Sequence, residues 1–241
     1  MKKYLLSTLA DGICVVLLSV CPILCYASAF SVKLESSVLI MAAVLFSIVF
    51  SLLSAFVKNN LKYALCMTVI AFVAFLVFVF ANEHIFAQAN YAINKLLELY
   101  SVYLSVYSNI KFASYIANNA TGFFVLLSLI LNGLFSFLIS RIKSIKIAGL
   151  LSIALLVPCF VLVNTLPDLV PLLIIFTVLF ALYFSSQTRQ LNYAHSGVIT
   201  AVCAVILAVL ITVLAVINPV ANYERPKWQD NMLNTVPVSY T

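Results

Sequence analysis

Seven stretches of this chain are each long and apolar enough to cross a bilayer as helix, and short segments with one to three scattered basic residues separate most of them. A hydrocarbon core about 30 Å thick takes about 20 residues of helix, because lipid offers no partner to an open backbone N–H or C=O. The stretches are 13–30, 37–57, 63–81, 122–140, 147–165, 169–187 and 198–217. The expected fold is all-α: a polytopic transmembrane helical bundle of about seven spans. Residues 1–217 would form the helical domain and 218–241 a polar tail.

Composition excludes the soluble alternatives. Hydrophobic residues make up 65% of the 241 residues and charged residues 8%, with only 13 Lys+Arg and 7 Asp+Glu. A folded globule in water needs about a quarter of its residues charged to wet its surface. The net charge of +6 does not read as a nucleic-acid footprint, since the basic residues sit singly in the connections. The partner indicated by composition is the lipid bilayer, with no nucleic acid.

Basic residues are counted on the two alternating sets of connections to assign sides. One set holds Lys2, Lys3, Lys58, Lys62, Arg141, Lys143, Lys146 and Arg189, all in short segments. The other holds Lys33, Lys95, Lys111, Arg225 and Lys227 over a longer total, together with Glu35, Glu83, Glu98, Asp168, Glu224 and Asp230. The denser basic side is expected to be cytosolic, which puts the N-terminus inside and the tail outside. Lys2-Lys3 followed by an apolar run and Ala27-Ser28-Ala29 also imitates a cleavable signal. Asp11-Gly12 and Pro22 interrupt that run, and it is read instead as a retained span.

Residues 82–121 are too polar to cross and too apolar to be a free loop. Glu83, Asn90, Asn94, Glu98, Ser101, Ser105 and Ser108 recur at steps of 7, 4, 4, 3, 4 and 3, which is helical periodicity. Tyr100, Tyr103 and Tyr107 suit the headgroup zone. An amphipathic interfacial helical segment between spans three and four is expected, either as a platform on the outer surface or simply as a connector.

Chemistry-bearing residues are few. Asp11 and Asn132 are the candidate intramembrane polar residues, and both read more simply as structural: Asp11 near the cytosolic end of its span, Asn132 as an amide bridging helices. Cys14, Cys21 and Cys25 share a helical face, but Cys packs as a small hydrophobe and no His or carboxylate joins them. His84 and His195 fall on opposite sides. No H-E-x-x-H, G-x-S-x-G or phosphate-binding Gly loop occurs, so no catalytic residue, metal site or cofactor is assigned. An enzyme acting on lipids would need His84, Glu83 and Asp168 in one cleft.

The tail carries the most specific pattern. After Asn218-Pro219 comes N-Y-E-R-P-K-W-Q-D over 222–230, which holds the only Trp. This string, directly after a final apolar helix, resembles the junction in bacterial transglutaminase-like membrane proteins, mostly of the Clostridia and their relatives. Val157-Pro158, Leu166-Pro167-Asp168 and Ser186-Gln187-Thr188-Arg189 are similar more loosely. The resemblance implies a multi-span region of the bacterial cell membrane whose extracytosolic papain-like domain, with its Cys, His and Asp, is absent from these residues. It implies a non-enzymatic anchor or scaffold holding such a domain or partner at the outer surface, with Tyr223, Arg225, Pro226 and Trp228 as candidate partner contacts. The alternative is a membrane component for transport of a small solute or vitamin, motivated by prolines in the spans and by Asp11 and Asn132.

Overall fold

The computed structural model describes residues 2–57, 59–81, 85–104, 117–161 and 167–190, and residue 209. Among the described residues every regular element is helical. Seven helices follow one another: α1 Lys2–Ala29, α2 Ser36–Phe56, α3 Asn60–Ala81, α4 Ile85–Leu104, α5 Thr121–Ser136, α6 Ile145–Val161 and α7 Leu169–Gln190. Helices α1 to α3 and α5 to α7 occupy the first six apolar stretches, and α4 occupies the first half of the amphipathic segment. The seventh stretch, 198–217, lies outside the described residues except for Val209.

Among the described residues, three helical segments are long and apolar enough to cross a membrane: Asp11–Ala29, Ser36–Ser54 and Thr121–Ile142. The apolar parts of α3, α6 and α7 are shorter, Asn60–Leu76, Ile145–Phe160 and Leu169–Phe184. In lipid the apolar surface itself does not drive helices together. Close packing and hydrogen bonds between helices do.

Helix α1 is the hub, packing against α2, α5, α6 and α7. Its buried Val15, Leu18, Cys21, Ile23 and Cys25 face several neighbours at once. It runs without a break through Asp11-Gly12, where the sequence suggests an interruption. Gly12 serves as a close-approach point: Ser47 donates to its carbonyl at 3.0 Å, and a Cβ there would sit 3.4 Å from the Ser47 hydroxyl. Pro22 is likewise accommodated inside the helix. A Schellman closure ends α1. Ser31 takes the left-handed conformation at φ 52°, Val32 N–H donates to Ala27 O at 2.9 Å, and Ser31 N–H reaches Ser28 O at 3.4 Å.

Helix α5 lies beside α2 and α1 and is the most enclosed of the three long segments, with 67% of its apolar window buried against 22% for α2. Gly133 lets α3 come close, since a Cβ there would meet Met67 Sδ at 3.2 Å. The last turns of α5 open into a π-helical segment, Phe137–Ile142, closed by Lys143 at φ 55°. In contrast, α2 and α3 show broad apolar outer faces, with Met41, Leu45, Leu52, Leu61, Leu65 and Phe72 all more than half exposed. Such faces belong against hydrocarbon. At the start of α3, the Leu61 N–H is capped by Asn59 Oδ1 at 2.9 Å.

Candidate functional site

Each helix start leaves backbone N–H groups without an intrahelical partner. At one end of the bundle those orphans are satisfied by neighbouring elements instead of by local caps. The Glu35 N–H, at the cap of α2, donates to Thr121 Oγ1 of α5 at 3.0 Å. The Phe123 N–H in the first turn of α5 donates to Gln88 Oε1 of α4 at 3.1 Å. Asp168 N–H, just before α7, donates to Ser28 Oγ of α1 at 3.0 Å. Ala120 N–H closes the set on Lys33 O at 3.0 Å, and the Tyr26 hydroxyl reaches Ala92 O of α4 at 3.5 Å.

These bonds fasten the end of α1, the starts of α2, α5 and α7, and helix α4 into one rim. Three helix N-termini present their positive dipole ends there, and the exposed Glu35 and Asp168 stand at two of them, the favourable sign for an acid. On α4, Lys95 pairs with Glu98 at 2.8 Å. That hydrogen bond to Glu98 holds the Lys95 ammonium above its usual range.

The opposite end is built around Arg141 on the π-helical segment. Its guanidinium donates to Ser54 O in the last turn of α2 and to Val57 O at the cap that follows it and lies over the Tyr63 ring, 4.9 Å from its centre. The fully buried Tyr63 hydroxyl shares a hydrogen bond with Ser136 Oγ at 2.9 Å. One cation and one phenol thereby join α2, α3 and α5. Lys62, Lys143 and Lys146 are exposed at the same end.

Between the two ends, Asn132 is fully buried and donates from Nδ2 to Ser19 Oγ of α1 at 2.9 Å and to Ser128 O at 3.0 Å. Its Oδ1 is buried without a hydrogen-bond partner. The structure does not bring the two candidate intramembrane polar residues together: Asp11 stands half-buried about 12 Å earlier along α1 than Ser19, at 1.5 Å per residue. Cys21 and Cys25 are buried in the core with Cys159 of α6 close to Cys25, while Cys14 is only half-buried. Tyr223, Arg225, Pro226 and Trp228 lie outside the described residues, as do Glu83, His84, Cys203 and His195.

Sequence reasoning missed Arg141, Tyr63, Gln88, Thr121 and Ser28. In the sequence Arg141 reads only as a topology marker, although a residue holding five donors so near an apolar stretch is itself a signal for backbone capping. No family model, curated protein or solved structure matches this chain.

Proposed function

We propose that this chain is the membrane-embedded anchor of an extracytosolic activity, holding a catalytic domain or partner against the outer membrane surface. The observation that carries the reading is the hydrogen-bonded rim. Three connections and α4 are fastened there into one surface, while several polar groups below it bond between helices. The Ser47–Gly12, Asn132–Ser19 and Tyr63–Ser136 bonds all lock helix to helix. That is what a scaffold needs.

The charge distribution supports the sidedness. The rim carries Lys33, Glu35, Lys95, Glu98 and Asp168, a mixed set, whereas the end around Arg141 carries Lys62, Lys143 and Lys146. A predominantly basic end, here with Asp11 as the acid near it, is the expected cytosolic one. On this reading the chain crosses a bacterial plasma membrane seven times, with its N-terminus cytosolic. The tail leaves on the rim side, and α4 lies in the interface. The partner proposed from the tail pattern is a transglutaminase-like, papain-fold domain, met by Tyr223, Arg225, Pro226 and Trp228.

The test is deletion of residues 222–230, with the chain co-expressed beside the papain-like domain encoded next to or after it. The deletion is expected to move that domain from the membrane to the soluble fraction while the anchor stays in the membrane. Retention of the domain, or a neighbouring ATPase subunit in its place, overturns the reading. A solute-transport role is favoured by one observation, the unpartnered Asn132 Oδ1, and it makes a different prediction at that residue.

A further inference from the structure

Three lysines gather at the Arg141 end. Lys62 lies in the first turn of α3, one residue before Tyr63, whose ring sits under the Arg141 guanidinium. Lys143 follows Arg141 by two residues and closes the π-helical segment. Lys146 is in the first turn of α6, three peptide steps and so at most about 11 Å from Lys143 between Cα atoms. All three are exposed, and among the described residues none forms an ion pair. Arg141 is engaged by the α2 carbonyls, which leaves the lysines to meet an anion.

Most of the chain's own acids are placed elsewhere. Glu35, Glu98 and Asp168 stand at the rim, and Glu83 falls between the end of α3 and α4, a helix of that rim. Asp11 is half-buried beside Gly12, whose partner Ser47 lies about 15 Å back along α2 from Val57. Of the residues outside the description, Lys58 and the segment 191–197 that follows α7 at this end bring a Lys and a His but no acid. Glu224 and Asp230 of the tail are the competing occupants within the chain.

Each lysine adjoins a large apolar residue turned outward: Leu61 is 72% exposed, Ile142 46% and Ile147 50%. Ammonium groups set beside open hydrocarbon fit a ligand that carries both a negative charge and alkyl chains, whereas inorganic phosphate or an acidic peptide would leave the apolar half uncovered. Depth points the same way. Thr121–Ile142 is 22 residues, about 30–33 Å of helix against a hydrocarbon core of about 30 Å, which sets Lys143 at the level of the lipid phosphates.

We propose that Lys62, Lys143 and Lys146 form a docking surface for one anionic phospholipid, with the ammonium groups on its headgroup and its chains along Leu61, Ile142 and Ile147. The proposal rests on Thr121–Ile142 crossing the membrane and holds whichever end is cytosolic. A bound lipid ties the starts of α3 and α6 to the end of α5 from outside, beside the clamp that Arg141 makes from within. Each lysine near an anionic surface favours binding about fivefold.

The experiment is native mass spectrometry of the full chain released from mild-detergent micelles that hold equal amounts of phosphatidylglycerol and phosphatidylcholine. Wild type is expected to retain phosphatidylglycerol in preference. Lys143→Gln with Lys146→Gln is expected to lower that preference about tenfold, and the corresponding pair of Arg substitutions to keep it. Lys33→Gln with Lys95→Gln, the same change in net charge at the rim, is expected to leave it as in wild type. Equal retention of the two lipids by wild type, or an equal loss in the rim variant, overturns the proposal. Displacement of the lipid by excess inorganic phosphate would make this a free-anion site and overturns it as well. Deletion of 222–230 is expected to change nothing here; a rise in phosphatidylglycerol retention would show the acidic tail seated on the lysines and contradict the assignment. A failed anchor reads out as a displaced partner and a failed lipid surface as lost headgroup preference, so the two failures are distinct.

Discussion

Arg141→Ala is expected to lower the stability of the bundle by about 2–4 kcal/mol. Helix α2 ends with carbonyls that have no intrahelical donor, and the Arg141 guanidinium supplies one to Ser54 O and Val57 O. Hydrogen bonds from a charged donor contribute about 1.5–3 kcal/mol each, and both come from one half-buried nitrogen, which lowers the sum. A cation at a helix C-terminus and its stacking on Tyr63 add about 0.5–1 kcal/mol each. The loss also reaches α3 and α5, because Tyr63 is held by the same cation and by Ser136. Arg141→Lys keeps the charge but not the planar stacking surface, so it should fall between the two. Unfolding in mixed micelles titrated with dodecyl sulfate reads the difference. A shift for Arg141→Ala no larger than that for Lys146→Ala at the same end would contradict the capping role.

Substitutions at Asn132 are expected to separate by chemistry. Asn132→Asp places a carboxyl at a fully buried site in the middle of a candidate span and removes the donors to Ser19 Oγ and Ser128 O. Such a group costs about 2.5–3.5 kcal/mol on insertion scales. Asn132→Leu keeps the branched shape and heavy-atom count and loses the bonds to Ser19 Oγ and Ser128 O, of which the interhelical one contributes about 0.6 and at most about 1.7 kcal/mol in membrane helices. The expected order of stability is therefore wild type, then Leu close behind, then Asp well below. If the amide instead serves a solute or ion path, Asp is tolerated and Leu is the damaging change. The same micelle titration, with uptake by reconstituted vesicles as a second readout, decides between the bridging and the transport reading.

Helix positions were legible because the solvent is lipid: a stretch such as 37–57 has to satisfy every backbone group internally, and α2 over Ser36–Phe56 matches it almost residue for residue. The amphipathic periodicity that marks Ile85–Leu104 was legible for the same reason. What could not be read were features that depend on a neighbour. Asp11-Gly12 looks like a break until Ser47 is seen on the Gly12 carbonyl. Pro22 looks like another, yet α1 continues through it. The Schellman closure of α1 uses Ser31, where a left-handed residue is usually Gly and the sequence gives no warning. Arg141 finds carbonyls more than 80 residues away, and Gln88 and Ser28 cap helices that are not their own. Asn132 was legible as a bridge because an amide in an apolar stretch has few other uses, but its partner Ser19 was not. The tail residues, the most specific part of the sequence pattern, lie outside the described residues.

We propose that the rim and the tail share the outer side of the membrane and that the Arg141 end faces the cytosol. Single cysteines at Lys33, Ser144 and Asn231, introduced after the native cysteines are replaced by alanine, test it with a membrane-impermeant maleimide on intact cells. Labelling of Lys33→Cys and Asn231→Cys is expected, with Ser144→Cys labelled only after the membrane is permeabilised. Labelling of Ser144→Cys in intact cells with Asn231→Cys protected would invert the topology and overturn the proposed sidedness.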